Sequence, residues 1–136
     1  MRIVIIDGQG GGLGRQLTEL CLKRFPQAEL TCVGTNSAAT GAMRKAGAKR
    51  AATGENAVLV ACRTADIILG PLGIVIADAL LGEITPAMAL AVGQSSAVRI
   101  LLPVSHCSSE IAGTGQLTLS ELLEDVAVRI AAHLVP

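Results

Sequence analysis

The sequence has almost no aromatic side chains. Its 136 residues include no tryptophan and no tyrosine, and Phe25 is the one phenylalanine. Proteins that bind single-stranded nucleic acids stack the bases on aromatic side chains, and this chain has almost none to offer. It also lacks an excess of charge of either sign, because its 11 basic and 11 acidic residues cancel. No overall field attracts nucleic acid or an acidic membrane surface, so we expect neither as a partner.

Short cysteine spacings are also missing. The four cysteines are Cys21, Cys32, Cys62 and Cys107. None forms the C-x-x-C pattern of a zinc site, and their scatter does not indicate a disulfide framework. We therefore expect no metal site, and we expect the first three cysteines to be free, buried thiols.

The sequence has no uninterrupted apolar run long enough to span a membrane. The most apolar stretch, residues 67–92, contains Pro71, Asp78 and Glu83, so it is predicted to be buried strand and helix. The N-terminal apolar run ends at Asp7 after six residues, which does not match a secretory leader. We therefore expect a cytoplasmic protein.

What the sequence does contain is a regular alternation of strand and helix patterns. Strands are predicted at Arg2 to Ile6, Glu29 to Val33, Lys49 to Ala52, Asp66 to Leu69, and Arg99 to Val104. Between them, apolar residues recur at helical spacing. This alternation predicts an α/β fold. We expect one Rossmann-like domain over residues 1–136, a three-layer doubly wound parallel sheet with strand order 3-2-1-4-5.

Capping patterns predict where several helices begin. Thr85 precedes Pro86, which suits the first helical position. Thr118 and Glu121 have capping-box spacing, and Thr53 is expected to cap the helix that contains Val58. Further apolar helices are predicted between Leu72 and Val92.

The most informative feature is a glycine-rich loop between the first strand and the first helix. Glycine permits a tight turn and lets backbone N–H groups approach a ligand closely. The start of the following helix favours an anion at the same place. The pattern therefore predicts phosphate binding by Gly8, Gln9, Gly10, Gly11, Gly12, Leu13 and Gly14. It is not a Walker A loop, because Arg15 stands where that motif needs lysine.

Asp7 directly precedes this loop. A carboxylate there would repel a pyrophosphate unless it bound a ribose hydroxyl, a metal or backbone N–H groups. Of these roles, capping of the loop's own N–H groups is the one we expect.

The end of the second strand favours NADP over NAD as the ligand. Dinucleotide-binding units usually place an acidic residue there to hold the ribose hydroxyls. In this chain, the position is occupied by Thr35 and Asn36, whose polar groups, with Arg15, Arg44 and Lys45, would suit a 2′-phosphate. Alternatively, Arg44 and Lys45 serve only to complement the negative end of their helix.

Two later loops carry further candidate residues. Gly70 and Pro71 follow the fourth strand, where they would place backbone against the ligand or form a plain turn. Cys107, His106 and Glu110 are the groups of a nucleophilic or acid–base site. Adjacent residues of an extended loop point apart, however, so a surface loop with an incidental thiol is the alternative.

Several blocks of the sequence resemble known families. The glycine spacing Gly8, Gly12, Gly14 is similar to that of short-chain dehydrogenase/reductases, but those enzymes use a tyrosine that this chain lacks. Nearly the whole chain resembles a family of short bacterial proteins, typical of anaerobic Firmicutes and described only as a domain of unknown function. The blocks that carry this resemblance are Asp7 to Gly12, Gly34 to Ser37, Ala52 to Asn56, Gly70 to Gly73 and Gly82 to Pro86. The resemblance implies a fold and a bacterial origin but no activity.

Three functional hypotheses follow. The first is a module that binds a small-molecule nucleotide, such as the dinucleotide NADP, and acts as a sensor or accessory protein. The second is a small enzyme that uses Cys107, His106 and Glu110 at the same edge of the sheet. The third is a homo-oligomeric structural module without a ligand, in which the apolar helices between Leu72 and Val92 pack against a second copy.

Overall fold

Five parallel strands form the central sheet of the computed structural model, which describes residues 1–104, 108–113 and 115–134. The strands are β1 (Arg2–Asp7), β2 (Glu29–Gly34), β3 (Arg50–Thr53), β4 (Ile67–Pro71) and β5 (Val98–Leu102). They lie side by side in the order β3-β2-β1-β4-β5. The predicted doubly wound, Rossmann-like α/β fold and its strand order are therefore confirmed.

Helices connect the strands and cover both faces of the sheet. They are α1 (Gly12–Arg24), α2 (Ser37–Lys45), α3 (Glu55–Thr64), α4 (Pro86–Gln94) and α5 (Leu119–Ala132). The predicted caps of two of them are confirmed. The Thr85 side chain accepts a hydrogen bond from the backbone N–H of Met88, and Thr118 and Glu121 form a complete capping box.

The prediction that Thr53 caps α3 is wrong. Thr53 is the last residue of β3, and its hydroxyl pairs with that of Thr40 at 2.7 Å. Gly54 precedes the helix instead, at φ 105°, and no side chain caps α3. A threonine can serve equally as a strand residue, and tertiary contact with Thr40 decided between the two roles.

The side chains of β1 alternate between two apolar cores. Ile3 and Ile5 belong to the core beneath α1, α2 and α5, which also contains Leu17 and Ile130. Val4 and Ile6 belong to the opposite core beneath α3 and α4. Cys21, Cys32 and Cys62 are buried and free in these cores, as predicted. In the ranges that the structure describes, no helix combines the length and apolarity needed to cross a bilayer.

The segment between β4 and α4 is not the run of helices that the sequence predicts. A single turn of 3-10 helix covers Leu72–Val75, and the chain then forms a compact loop, residues 76–85, which we call the β4–α4 loop. The N–H of Asp78 donates to the carbonyl of Ile84 at 2.7 Å, and the N–H of Ile84 donates to the carbonyl of Ala79 at 3.1 Å. These hydrogen bonds bring the two ends of the loop together.

Backbone strain is concentrated in the β4–α4 loop. Asp78, Leu80 and Leu81 have φ angles of 66°, 56° and 56°, in the left-handed region. That conformation costs roughly 1–2 kcal/mol for a residue with a Cβ. Leu80 is buried, but the Leu81 side chain is 94% exposed. The strain at Leu81 is therefore not offset by burial of its own side chain.

Replacement of Leu81 by glycine should raise the free energy of unfolding by about 0.5–1 kcal/mol, because glycine adopts positive φ without a steric penalty. Urea unfolding followed by far-UV circular dichroism measures the change, and Leu90→Gly, which alters an exposed residue inside α4, should lower stability. A loss of stability in Leu81→Gly would show that the leucine side chain makes a stabilising contact.

Candidate functional site

A small cleft lies at the carboxyl edge of the sheet, between the ends of β1 and β4. At this point the strand order reverses, and open α/β sheets bind their ligands at such a reversal. The cleft has a volume of about 180 Å³ and is lined by Asp7, Gly8, Gln9, Gly10, Gly11, Gly12, Leu13, Pro71, Leu80 and Val104. Complete small-molecule pockets enclose roughly 300–1,000 Å³. The cleft is therefore large enough for one part of a ligand, such as a phosphate group.

The glycine loop presents free backbone donors beside this cleft. Gly11 adopts φ 75° and its N–H closes a turn onto the carbonyl of Gly8 at 3.0 Å. Helix α1 begins at the next residue, so the N–H groups of its first turn have no partner within the helix. Among the described residues, the N–H groups of Gly10, Gly12 and Leu13 have no hydrogen-bond acceptor. Three donors are therefore available at the positive end of α1.

The carboxylate of Asp7 binds both ends of the glycine loop through backbone N–H groups. Its Oδ1 accepts the N–H of Gly8 at 2.8 Å, and its Oδ2 accepts the N–H of Gly14 at 2.6 Å. The side chain is only 5% exposed, and this burial raises its pKa, although the two N–H groups oppose the shift and nearby Glu83 adds to it. The predicted role of Asp7 as a cap for loop N–H groups is confirmed.

Gly14 is required because α1 approaches β1 so closely there. A Cβ at this residue would lie 2.8 Å from the Cβ of Asp7 and 2.8 Å from the Sδ of Met43. Gly14 does not line the cleft, so its role is to let the helix pack on the strand. Within the described part of the chain, no group of three or more His, Cys, Asp or Glu side chains could hold a metal ion.

A second carboxylate, from Glu83 in the β4–α4 loop, lies at the end of β2. Its Oε1 accepts three hydrogen bonds, from the N–H of Gln9 at 2.8 Å, the hydroxyl of Thr35 at 2.7 Å and the amide of Asn36 at 2.7 Å. Partial burial raises the pKa of Glu83, but these three donors outweigh it and hold the pKa below its ordinary value. Glu83 is therefore held as a carboxylate at the end of β2.

The position of Glu83 removes the basis on which the sequence favoured NADP over NAD. The preference for NADP assumed that no acidic group stands at the end of β2, and that premise is wrong because Glu83 reaches this position from a distant loop. Two of the three basic residues in that prediction have other partners. Arg15 pairs with Glu19, and Arg44 donates to the carbonyl of Ala51 from the last turn of α2.

Sequence reasoning missed Glu83 because it is 48 residues away from Thr35. It lies in the block from Gly82 to Pro86, whose threonine and proline indicated only the start of a helix. The available signal was weak, because Glu83 is one of two acidic residues in this apolar stretch and is distinguished only by lying two residues before a helix cap.

The other candidate residues do not all lie at the cleft. Thr35 and Asn36 donate to Glu83 but are outside the cleft lining, whereas Pro71 is part of it. Gly70 lies outside the cleft lining, and a Cβ there would be 2.5 Å from the carbonyl oxygen of Ile6, so it serves strand packing. Glu110 is exposed. Cys107 and His106 are outside the described residues.

Comparison with known proteins places the chain in a family. The model of a family described as "Domain of unknown function (DUF3842)" matches residues 2–135, and the chain belongs to this family. No curated protein sequence matches it. One solved structure that matches is a dodecameric FMN-dependent UbiX-like decarboxylase from Escherichia coli O157:H7. It is 17% identical, with a TM-score of 0.45, and the match covers 98% of this chain and 94% of that chain.

Gly8→Ala should destabilise the protein by about 1–3 kcal/mol through overpacking. The added Cβ would lie 2.6 Å from the Thr35 hydroxyl oxygen and 3.0 Å from Oε1 of Glu83, so it would separate the two loops. Gly10→Ala is the matched control, because nothing lies within 4 Å of its Cβ position. Urea unfolding followed by circular dichroism compares the two variants. Equal stabilities would contradict the close packing of the glycine loop on Glu83.

The contribution of Glu83 to stability should depend on pH. Its pKa in the folded protein lies below the ordinary value of 4.5, so the stabilisation is present above that value and is lost as the pH falls towards the folded pKa. The difference in free energy of unfolding between wild type and Glu83→Gln should thus be largest at neutral pH and shrink as the pH falls below 4.5.

The raised pKa of Asp7 has the opposite effect, since the folded state gains stability when this buried group is protonated. Both proteins in the comparison contain Asp7, so the larger effect of its burial cancels in the difference, and only the smaller contribution of the Glu83 charge to the pKa of Asp7 is part of what the comparison measures. A difference between wild type and Glu83→Gln that stayed constant from neutral to acidic pH would contradict the hydrogen bonding at Oε1.

Proposed function

We propose that this member of the DUF3842 family binds a small-molecule nucleotide through its phosphate, at the carboxyl edge of the sheet, and acts as a sensor or accessory module. The observation that carries the proposal is the set of three N–H groups without acceptors among the described residues, on Gly10, Gly12 and Leu13 beside the cleft. Such donors at the start of a helix favour a phosphate.

The cleft walls favour a nucleotide over free phosphate. Its described lining contains no basic side chain, and Asp7 contributes a buried negative charge. The helix terminus, equivalent to roughly half a positive charge, therefore provides limited attraction. Pro71, Leu80 and Val104 form an apolar wall that could pack against a base or another ring. Burial of that ring adds binding energy that inorganic phosphate does not have.

The lining also favours binding over catalysis. Asp7 is the one titratable side chain among the described residues of the cleft, and both of its oxygens already accept backbone N–H groups. A general acid or base must be able to exchange its proton with a substrate. We therefore propose a ligand-responsive module, and a dinucleotide such as NADP is one of the ligands that the test includes.

A thermal-shift panel of NAD, NADP, ATP, FAD and coenzyme A tests this proposal, read by circular dichroism because the chain has no tryptophan or tyrosine. At a ligand concentration about 100-fold above Kd, binding stabilises the fold by about 2.7 kcal/mol, and Tm should rise by on the order of 10 °C. Mass spectrometry of the natively purified protein checks for a ligand already bound.

Gly12→Val should abolish the shift while leaving the fold intact. A Cβ at Gly12 meets no atom within 4 Å, so the valine side chain fills open space at the start of α1, beside two of the free donors. Gly93→Val is the matched control, because Gly93 also has nothing within 4 Å and lies in α4, away from the cleft.

A protein that no nucleotide stabilises, and on which Gly12→Val has no further effect, would refute nucleotide binding at this loop. If that protein were also a folded oligomer, a structural role would be favoured. The exposed side chains of Leu81 and Leu90, 94% and 58% accessible, would then be the apolar surface for a second copy.

A further inference from the structure

The carboxylate of Glu83 is fixed from two sides of the site. Its Oε1 takes the N–H of Gln9 from the glycine loop and the polar groups of Thr35 and Asn36 at the end of β2. The amide of Asn36 also donates to the carbonyl of Gln9 at 3.0 Å. Oε2 has no hydrogen-bond partner among the described residues, so one oxygen of a rigidly held carboxylate is left to accept a further donor.

Glu83 is anchored one residue before the donors proposed for the phosphate, outside the lining of the cleft. Gln9, whose N–H binds Glu83, is followed directly by Gly10, whose N–H is free among the described residues. Neighbouring Cα atoms are about 3.8 Å apart. In a nucleotide the sugar ring separates the ribose hydroxyls from the 5′-phosphate, so the group that binds the hydroxyls must lie beside the phosphate donors and not among them. A ligand whose phosphate lies on Gly10, Gly12 and Leu13 can therefore bring its ribose hydroxyls to Glu83.

A carboxylate discriminates between the groups that a ribose can carry. It only accepts hydrogen bonds, so a 2′-hydroxyl can donate to it and a phosphate cannot. Two anions at hydrogen-bond distance also repel one another. Two of the basic residues that the sequence offered for a 2′-phosphate have other partners, since Arg15 pairs with Glu19 and Arg44 donates to the carbonyl of Ala51.

We infer that the site selects nucleotides with a free 2′-hydroxyl and rejects those with a 2′-phosphate, and that Glu83 is the residue that determines this specificity. The inference rests on the proposed nucleotide binding and adds the class of ligand. The sequence favoured NADP, whereas this inference favours ligands such as NAD that have a free 2′-hydroxyl. The acid that other dinucleotide-binding units place at the end of β2 comes here from the loop between β4 and α4.

Isothermal titration with three matched mononucleotides tests the inference. The probes are AMP, 2′-deoxy-AMP and adenosine 2′,5′-bisphosphate, with NAD and NADP as the corresponding dinucleotide pair. We expect wild type to bind AMP about tenfold more tightly than either analogue, a difference of about 1.4 kcal/mol, and to prefer NAD to NADP by a similar factor.

Glu83→Gln is the informative variant. Its amide oxygen can still accept from Gln9, Thr35 and Asn36, while its NH₂ replaces Oε2 and donates instead of accepting. The affinity for AMP should fall, the affinity for the bisphosphate should rise, and the tenfold preference should disappear. Glu124→Gln, which removes an exposed carboxylate on α5, should leave the preference unchanged. Circular dichroism confirms that both variants are folded, and the wild-type series tests the selection without either of them.

The possible results distinguish a failure of this inference from a failure of the proposed nucleotide binding. Equal wild-type affinities for AMP and the bisphosphate, or a tighter bisphosphate, would overturn the selection while nucleotide binding stands. A preference that Glu83→Gln leaves intact would overturn the role of Glu83. Failure of wild type to bind any of the five probes would overturn the inference, and a thermal-shift panel that also failed would refute nucleotide binding itself.

Discussion

The buried carboxylate of Asp7 is the constraint on which the rest of the site depends. Its two oxygens take the N–H groups at either end of the glycine loop, on Gly8 and Gly14. In this way the last residue of β1 holds both the turn that follows it and the first turn of α1. An ionised group so deeply buried is stable only with such partners, and a glycine at 14 is needed to bring the helix within reach. The arrangement satisfies one of the donors that a helix start leaves open and directs the others to the cleft.

Like Asp7, Glu83 joins separate segments of the chain through hydrogen bonds to its carboxylate. One carboxylate oxygen connects the glycine loop, the end of β2 and the β4–α4 loop. That last loop keeps Asp78, Leu80 and Leu81 in left-handed backbone conformations, which persist only where surrounding contacts determine them. Strained backbone of this kind is concentrated at functional sites. Here the strain accompanies a turn that brings an acidic side chain to the end of β2.

The regular parts of this chain were predictable because their signals are local. The alternation of Ile3, Val4, Ile5 and Ile6 between two cores follows from the period of a strand. The capping box at Thr118 depends on residues only three apart.

Predictions from the sequence were wrong where a residue type suits two local roles. Thr53 suits a strand end and a helix cap, and its contact with Thr40 made it a strand residue. Residues 76–85 have the composition of a helix, but hydrogen bonds such as that between Asp78 and Ile84 hold them in turns.

The sequence by itself determined the α/β class, the strand order, the position of the glycine-rich loop and the capping role of Asp7, because each follows from periodicity, backbone geometry or immediate adjacency in the chain. Only the tertiary structure decided the electrostatics at the end of β2. Thr35 and Glu83 are 48 residues apart, yet their side chains are separated by 2.7 Å. Which acid reaches the end of β2 depends on how the fold closes the β4–α4 loop over the sheet, and no local pattern encodes that closure.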